Sequence, residues 1–175
     1  MLFQGYRDSR EDGENIRPVF SPEKRIIAFD VEGVLVLPAG CNGNGGYKLN
    51  KNACCVIQKA LDGDIFDEVV FWSTSHRALG MADFYVCDAH RALQHHFPLD
   101  RIHQRVGGSV VRDGKIAKPL EYLSQNLSNV VAIEDDDFFE PRDRVIQINN
   151  GDFLLRSYLM AKDMVGYDSR KLSVT

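Results

Sequence analysis

Two acidic residues lie close together after an apolar run near the start of the chain. In the segment AFDVEGVLV, Asp30 ends the apolar run, Glu32 follows two residues later, and Gly33 leads into a second apolar stretch. A strand that runs into an ordinary turn would have this pattern. A catalytic site would have it too, with one carboxylate attacking a substrate and the other transferring a proton. Polar residues elsewhere in the chain must decide between these interpretations.

Other polar residues occur where later apolar runs end. Ser73 ends the run VVFWS, Lys118 follows the segment DGKIA, and the acidic segment EDDD (134–137) follows NVVAI. Carboxylates from two strands would repel each other unless a cation joined them, and Mg²⁺ with its oxygen ligands is suited to that. A serine hydroxyl and a lysine ammonium would donate hydrogen bonds to a phosphoryl group. Together these residues predict a site for phosphoryl transfer.

The elements that would position these residues alternate along the chain. Short, continuous apolar runs predict strands buried on both faces, and apolar residues at helical spacing predict helices between them. The predicted strands are 25–30, 68–73, 129–134 and 144–148, and the predicted helices are 51–61, 81–97, 118–127 and 152–164. Lys118 would open its helix, because Pro119 suits a first helical turn. This alternation predicts an α/β fold with a doubly wound parallel sheet, in which ligands bind beyond the carboxyl ends of the strands.

The composition of the chain is typical of one globular domain. It has 175 residues, of which 44% are hydrophobic and 26% are charged, and this is enough for a sizeable core. The polar segment 1–24 is predicted to be a flexible N-terminal arm, followed by a domain over 25–166 and a C-terminal tail over 167–175. The formal net charge of −4 and the lack of a long apolar run or a targeting signal favour a cytoplasmic protein that does not bind membranes.

Four short motifs follow one another on these elements. They are DVEGV (30–34), WSTS (72–75), KP (118–119) and EDDD (134–137). Their order and their placement resemble the four motifs of the haloacid dehalogenase superfamily, over roughly residues 25 to 150. The resemblance implies a Rossmann-like domain of three layers, and the short spacing of the motifs leaves no room for a large cap domain. Among capless members, the chain is similar to carboxy-terminal-domain phosphatases, magnesium-dependent phosphatases and the phosphatase-like domains attached to RNA-repair proteins.

The resemblance also implies roles for the motif residues. Asp30 would be the nucleophile that forms an aspartyl-phosphate. Glu32 would be the general acid and then the general base, while its backbone carbonyl would bind Mg²⁺. Ser73 would donate a hydrogen bond to the phosphoryl group, with Thr74 as an alternative donor, and Lys118 would neutralise charge on that group.

The remaining magnesium ligands are predicted in the acidic segment. Asp135 would bind the ion, and either Glu134 or Asp136 would complete the site begun by Asp30. The alternative explanation of this segment is a solvated helix N-terminus, where acidic side chains are favoured by the helix dipole. Lys115, three residues before Lys118, remains the alternative phosphate-binding lysine.

Glu32 departs from the resemblance, because members of the superfamily normally have aspartate at this position. The longer side chain moves the carboxylate outward, and a misplacement of ~1 Å can cost about a hundredfold in rate. Two functions are therefore predicted. The first is a Mg²⁺-dependent phosphatase that acts on a phosphorylated small molecule, a phosphoprotein or a nucleic-acid end. The second is a catalytically degenerate domain that binds such a ligand, or a protein partner, without turnover.

Overall fold

The structure of the chain, a computed structural model, describes residues 19–39, 46–63, 65–73, 102–106, 110–149 and 154–166. In chain order the strands of these residues are β1 (Ile26–Asp30), β2 (Val36–Ala39), β3 (Gly46–Leu49), β4 (Glu68–Ser73), β5 (His103–Val106), β6 (Val110–Arg112), β7 (Lys115–Pro119), β8 (Val130–Glu134), β9 (Phe139–Glu140) and β10 (Val145–Gln147). The α-helices within the described residues are α1 (Lys51–Leu61) and α2 (Leu154–Met164). Short 3-10 helices lie at Leu120–Tyr122, Leu127–Asn129 and Arg142–Arg144. The chain is therefore of mixed α/β type.

Five of the strands form one parallel sheet with β1 at its centre. The order is β10-β8-β1-β4-β5, and every neighbouring pair is parallel. After β1 the chain adds β4 and β5 on one side, and it later adds β8 and β10 on the other. The direction of winding thus reverses between β1 and β8. In open α/β sheets, ligands bind beyond the carboxyl ends of the strands at such a reversal.

Both faces of this sheet are buried, and successive side chains of a strand alternate between the two faces. Phe29 and Phe71 belong to the core on one face, which includes residues of both α1 and α2. Ala28 and Trp72 belong to the core on the other face, together with Phe139. Because side chains are buried on both sides, the central strands β1 and β8 are apolar at nearly every position.

Helix α1 presents an apolar face to the sheet and begins at a buried asparagine. Asn50 precedes the helix, and its side-chain oxygen accepts a hydrogen bond of 3.1 Å from the backbone N–H of Asn52. This cap satisfies one of the amides that the start of a helix leaves unpaired. The buried residues of the helix recur at helical spacing and are Ala53, Val56, Ile57, Ala60 and Leu61.

Most of the predicted elements agree with the structure. The four predicted strands correspond to β1, β4, β8 and β10, and the helices predicted over 51–61 and 152–164 correspond to α1 and α2. The helix predicted over 81–97 lies outside the described residues. Neither helix in the described part of the chain is long and apolar enough to cross a membrane.

The helix predicted over 118–127 is wrong. Residues Lys115–Pro119 form β7, which pairs antiparallel with β6. Asp113 and Gly114 connect these strands with φ angles of 50° and 75°, and an Asp-Gly pair favours a two-residue hairpin turn of this kind. Lys118 therefore lies within a strand rather than at the start of a helix, and its side chain is fully buried.

Part of the segment that was predicted as an N-terminal arm contacts the domain. The backbone N–H groups of Val19 and Phe20 donate hydrogen bonds of 3.3 and 3.0 Å to the carbonyl oxygens of Tyr122 and Leu123. The side chain of Phe20 also packs against the core that contains Trp72. The rest of the predicted arm and the predicted C-terminal tail lie outside the described residues.

Candidate functional site

A buried ion pair lies at the carboxyl end of the central strand. Asp30 is the last residue of β1, and its Oδ1 atom lies 2.8 Å from Nζ of Lys118 in β7. The same oxygen accepts a hydrogen bond of 2.7 Å from the backbone N–H of Val31. Lys118 also donates a hydrogen bond of 3.1 Å to the carbonyl oxygen of Trp72, near the end of β4. The ion pair and its hydrogen bonds therefore connect β1, β4 and β7 at the carboxyl end of the central strand.

Phe138 and Phe139 contact the backbone and the ammonium group of Lys118. Its N–H donates a hydrogen bond of 2.6 Å to the carbonyl oxygen of Phe138, and Lys118 lies opposite Phe139 in the parallel pair β7–β9. Its Nζ atom lies 4.5 Å from the centroid of the Phe139 ring, where an ammonium group is attracted to the ring face. The lysine is thus fixed from two sides, with its ammonium group directed at Asp30.

The turn after β1, residues 31–35, is closed mainly by its own backbone. The N–H groups of Leu35 and Val36 both donate to the carbonyl oxygen of Val31 at 3.0 Å. Gly33 has a φ angle of +83°, and a Cβ atom at this position would lie 1.8 Å from Oδ2 of Asp135. A glycine is therefore required here both by the backbone conformation and by the approach of the second acidic residue.

Asn50 attaches this turn to helix α1. Its backbone N–H donates to the carbonyl oxygen of Leu35, and its side-chain Nδ2 donates to that of Val34, both at 2.9 Å. Its Oδ1 atom meanwhile caps α1. The sequence reasoning missed this residue. An asparagine directly before a predicted helix is a recognisable cap signal, but nothing local shows that its amide also reaches the turn.

Asp135 brings a second carboxylate to the reversal point between β1 and β8. It follows β8 directly and packs against Gly33. Its Oδ1 atom is buried and, among the described residues, has no hydrogen-bond partner. Burial and the neighbouring Asp136 raise the pKa of Asp135 above its ordinary value. A buried carboxylate oxygen without a donor is costly, and a cation would compensate it.

Glu134 behaves differently from its neighbour, because both of its carboxylate oxygens are bonded to the backbone. Oε1 accepts a hydrogen bond from the N–H of Phe138 and Oε2 accepts one from the N–H of Phe139, both at 2.9 Å. The side chain is fully buried, and this burial raises its pKa to about 7 despite the two hydrogen bonds. On the outer side, a guanidinium nitrogen of Arg142 lies 4.0 Å from Oε2.

The charge balance of the site is negative. Burial raises the pKa of Asp30 to about 6, although Lys118 opposes the shift, and the charges of Glu32 and Asp135 raise it further. A second positive charge would therefore be favoured close to these three carboxylates.

Mg²⁺ fits the chemistry of these donors. In the parts of the chain that the structure describes, no three His, Cys, Asp or Glu side chains are grouped as a ready metal site. The ligand set implied by the resemblance differs, since it includes the backbone carbonyl of Glu32 besides the carboxylates of Asp30, Asp135 and either Glu134 or Asp136. The unpartnered Oδ1 of Asp135 is the feature that suits a hard cation best.

The other predicted site residues are Ser73, Thr74, Lys115 and Asp136. Ser73 ends β4 next to Trp72, so its backbone lies at the same edge of the sheet. Thr74 lies outside the described residues. Lys115 is exposed at the opposite end of β7 from Lys118, and Asp136 is exposed after Asp135.

The arrangement can support nucleophilic chemistry. A carboxylate oriented by a lysine and by a backbone N–H can attack an electrophile, and the lysine can stabilise negative charge that develops beside it. The chain matches no protein-family model and no curated protein. The residues of the site are therefore the basis for assigning a function.

Proposed function

We propose that the protein is a Mg²⁺-dependent phosphomonoester hydrolase that works through an aspartyl-phosphate on Asp30. Its domain would be a capless, doubly wound, Rossmann-like domain of three layers, similar to those of the haloacid dehalogenase superfamily. The observation that carries this proposal is the buried pair of Asp30 and Lys118, 2.8 Å apart. The two residues lie far apart in the sequence, and they meet at the carboxyl end of the central strand, beside Asp135.

The reaction would proceed in two displacements at phosphorus. In the first, a carboxylate oxygen of Asp30 forms a bond to phosphorus and the bond to the leaving oxygen breaks, while Glu32 gives that oxygen a proton. In the second, water attacks the phosphorus of the aspartyl-phosphate and gives a proton to Glu32, and inorganic phosphate and free Asp30 result. Glu32 thereby returns to its starting protonation state.

Lys118 and the backbone supply the fixed electrostatics of this reaction. The ammonium group of Lys118 lies close enough to Asp30 to neutralise charge on a phosphoryl group attached there, and its own hydrogen bond to Trp72 keeps it in place. Bound Mg²⁺, held by Asp30, Asp135 and the carbonyl of Glu32, would neutralise further charge and orient the phosphoryl oxygens. Ser73 would donate a hydrogen bond to one of those oxygens.

Glu32 favours a second candidate function. Because its side chain is longer than the aspartate normal at this position of the superfamily, the carboxylate stands farther from the reacting oxygen. A domain with this change could still bind a phosphorylated ligand through Lys118 and Mg²⁺ while turning it over slowly or not at all.

Hydrolysis of p-nitrophenyl phosphate by the purified protein tests the proposal. We expect turnover that requires Mg²⁺, stops with a chelator and is abolished in Asp30→Asn, because the amide cannot act as the nucleophile. Asp163→Asn, an exposed change in α2, is the matched control and should leave turnover intact. Equal turnover in Asp30→Asn and the native protein would overturn the mechanism.

The same assay separates the two candidate functions. If the native protein shows no turnover, stabilisation by Mg²⁺ together with tungstate, a phosphate analogue, would identify the binding domain. This stabilisation would be measured as a rise in melting temperature, and it should be lost in Lys118→Met. Absence of both turnover and stabilisation would contradict both functions.

A further inference from the structure

The buried carboxylate of Glu134 has no part in the two proposed displacements, yet it lies close to Asp30 and Lys118. It is the last residue of β8 and is fully buried. Burying a charged group is costly unless its hydrogen bonds are satisfied. Both of its oxygens are satisfied by the chain itself, through the N–H groups of Phe138 and Phe139. The carboxylate therefore closes the loop of residues 135–139 onto the end of its own strand.

The two residues that Glu134 binds also contact Lys118. Phe138 donates its N–H to Glu134 at 2.9 Å and accepts the N–H of Lys118 at 2.6 Å. Phe139 donates its N–H to Glu134 at 2.9 Å, pairs with Lys118 in the sheet and places its ring 4.5 Å from Nζ. A continuous chain of contacts thus runs from Glu134 through one peptide segment to Lys118, and from there to Asp30.

We propose that Glu134 is a positioning residue, whose carboxylate fixes the loop of residues 135–139 so that Lys118 is held against Asp30. This inference rests on the proposed function, because it gives the residue a place in the same site. It differs from the role of a magnesium ligand, which the sequence left open for Glu134. The two backbone hydrogen bonds use the carboxylate oxygens inside the loop, while the oxygen without a partner belongs to Asp135.

Acylation of lysine side chains tests the proposal without any measurement of activity. The folded protein would be treated with acetic anhydride, and the modification of Lys118 would be followed by mass spectrometry. In the native protein Lys118 is fully buried and should react slowly. In Glu134→Gln, one amide of the loop meets an NH₂ group instead of an oxygen. Loss of a hydrogen bond to a charged group should raise the acylation rate of Lys118 about tenfold or more.

Two controls make this result specific. Lys115 is exposed on the same strand and should be acylated at one rate in every variant. Glu140→Gln changes another carboxylate in β9, whose partner is Arg112 at the surface, and it should leave Lys118 as protected as in the native protein. An unchanged acylation rate of Lys118 in folded Glu134→Gln would overturn the proposal.

Amide hydrogen exchange of the native protein gives a second measurement that needs no variant. If Glu134 closes the loop, the amides of Phe138 and Phe139 exchange more slowly than the amides of Asp136 and Asp137. Fast exchange of all four amides would overturn the proposal even if Glu134→Gln failed to fold.

The two readouts also separate this inference from the proposed function. A protein that lacks phosphatase activity, but whose Lys118 loses protection in Glu134→Gln, would retain the positioning role and lose the proposed reaction. A protein with Mg²⁺-dependent phosphatase activity, and with Lys118 equally protected in both forms, would retain the reaction and lose the positioning role.

Discussion

Two short segments border Asp30, and they are held in place by different kinds of side chain. The turn after β1, residues 31–35, is fixed to α1 by the amide of Asn50. The loop after β8, residues 135–139, is fixed to its own strand by the carboxylate of Glu134. The segments meet where Asp135 packs against Gly33. In each case one buried polar side chain binds two groups of the backbone, but only one of the two side chains is charged.

This difference matters because the side chain of Glu134 can ionise and that of Asn50 cannot. Asn50 carries no charge at any ordinary pH, so its hydrogen bonds to the turn do not depend on the protonation of its own side chain. Burial raises the pKa of the Glu134 carboxyl to about 7, and the charge of Asp30 raises it further. The loop that carries Asp135 and holds Lys118 is therefore coupled electrostatically to the groups that would do the chemistry. The hydrogen bonds of Asn50 therefore contribute to stability independently of charge, whereas the contribution of Glu134 depends on its ionisation.

The largest expected effect comes from breaking the contact between the two segments. Gly33→Ala combines an unfavourable φ angle with a Cβ atom placed 1.8 Å from Oδ2 of Asp135. We expect a loss of about 2–4 kcal/mol in the free energy of unfolding, because strain and overpacking add. Gly114→Ala is the matched control, since Gly114 has a φ angle of +75° and no atom within 4 Å of the added Cβ. It should cost only about 1 kcal/mol.

Urea unfolding of both variants measures this difference directly. The excess cost at Gly33 reports the displacement of Asp135. With the Mg²⁺ site proposed above, stabilisation by Mg²⁺ should be lost in Gly33→Ala and persist in Gly114→Ala. Equal costs at the two glycines would show that the turn and the loop do not touch as described.

A smaller loss in the free energy of unfolding is expected when the uncharged side chain of Asn50 is removed. Asn50→Ala deletes the cap of α1 and leaves the buried carbonyl of Val34 without its donor, and together these should cost about 2 kcal/mol. Asn52→Ala, an exposed change in the first turn of α1, is the control. Midpoints of urea unfolding would rank the variants, and a cost for Asn52→Ala as large as for Asn50→Ala would contradict the assignment.

The sequence was informative where the signal is local. Continuous apolar runs predicted four strands, and helical spacing predicted α1 and α2, because burial on both faces or on one face imposes those patterns directly. The same approach failed at Lys118, where the Asp113–Gly114 turn outweighed the helical spacing of the residues that follow. A turn signal specifies backbone angles, whereas apolar spacing over a few residues fits either a strand or a short helix.

The roles of Asn50 and Glu134 could not be predicted from the sequence. Each depends on which backbone groups of a folded segment come within reach, and that is settled only once the sheet and its loops are packed. The sequence did place acidic residues after β8, but it did not separate Glu134 from Asp135. They are adjacent in the chain, yet one is bonded to its own loop and the other faces Gly33.

The smallest expected effect is the change that Asp30→Asn makes in the dependence of stability on pH. The carboxyl pKa values of Asp30 and Glu134 are raised to about 6 and about 7, whereas unfolded carboxyl groups titrate near pH ~4. Between these values the folded protein binds more protons than the unfolded chain, so the free energy of unfolding falls as pH rises. The protonated carboxyls stabilise fully below pH ~4, and that contribution is lost as pH passes through about 6 to 7.

Urea unfolding in the presence of chelator, at pH ~5 and ~7.5, should show this decrease in the native protein and a smaller decrease in Asp30→Asn. Asn50→Ala should be less stable at both pH values with an unchanged difference between them, because the side chain that it removes carries no charge. A flattened pH dependence in Asn50→Ala, or the full native dependence in Asp30→Asn, would show that the pH dependence does not come from the buried carboxyl groups.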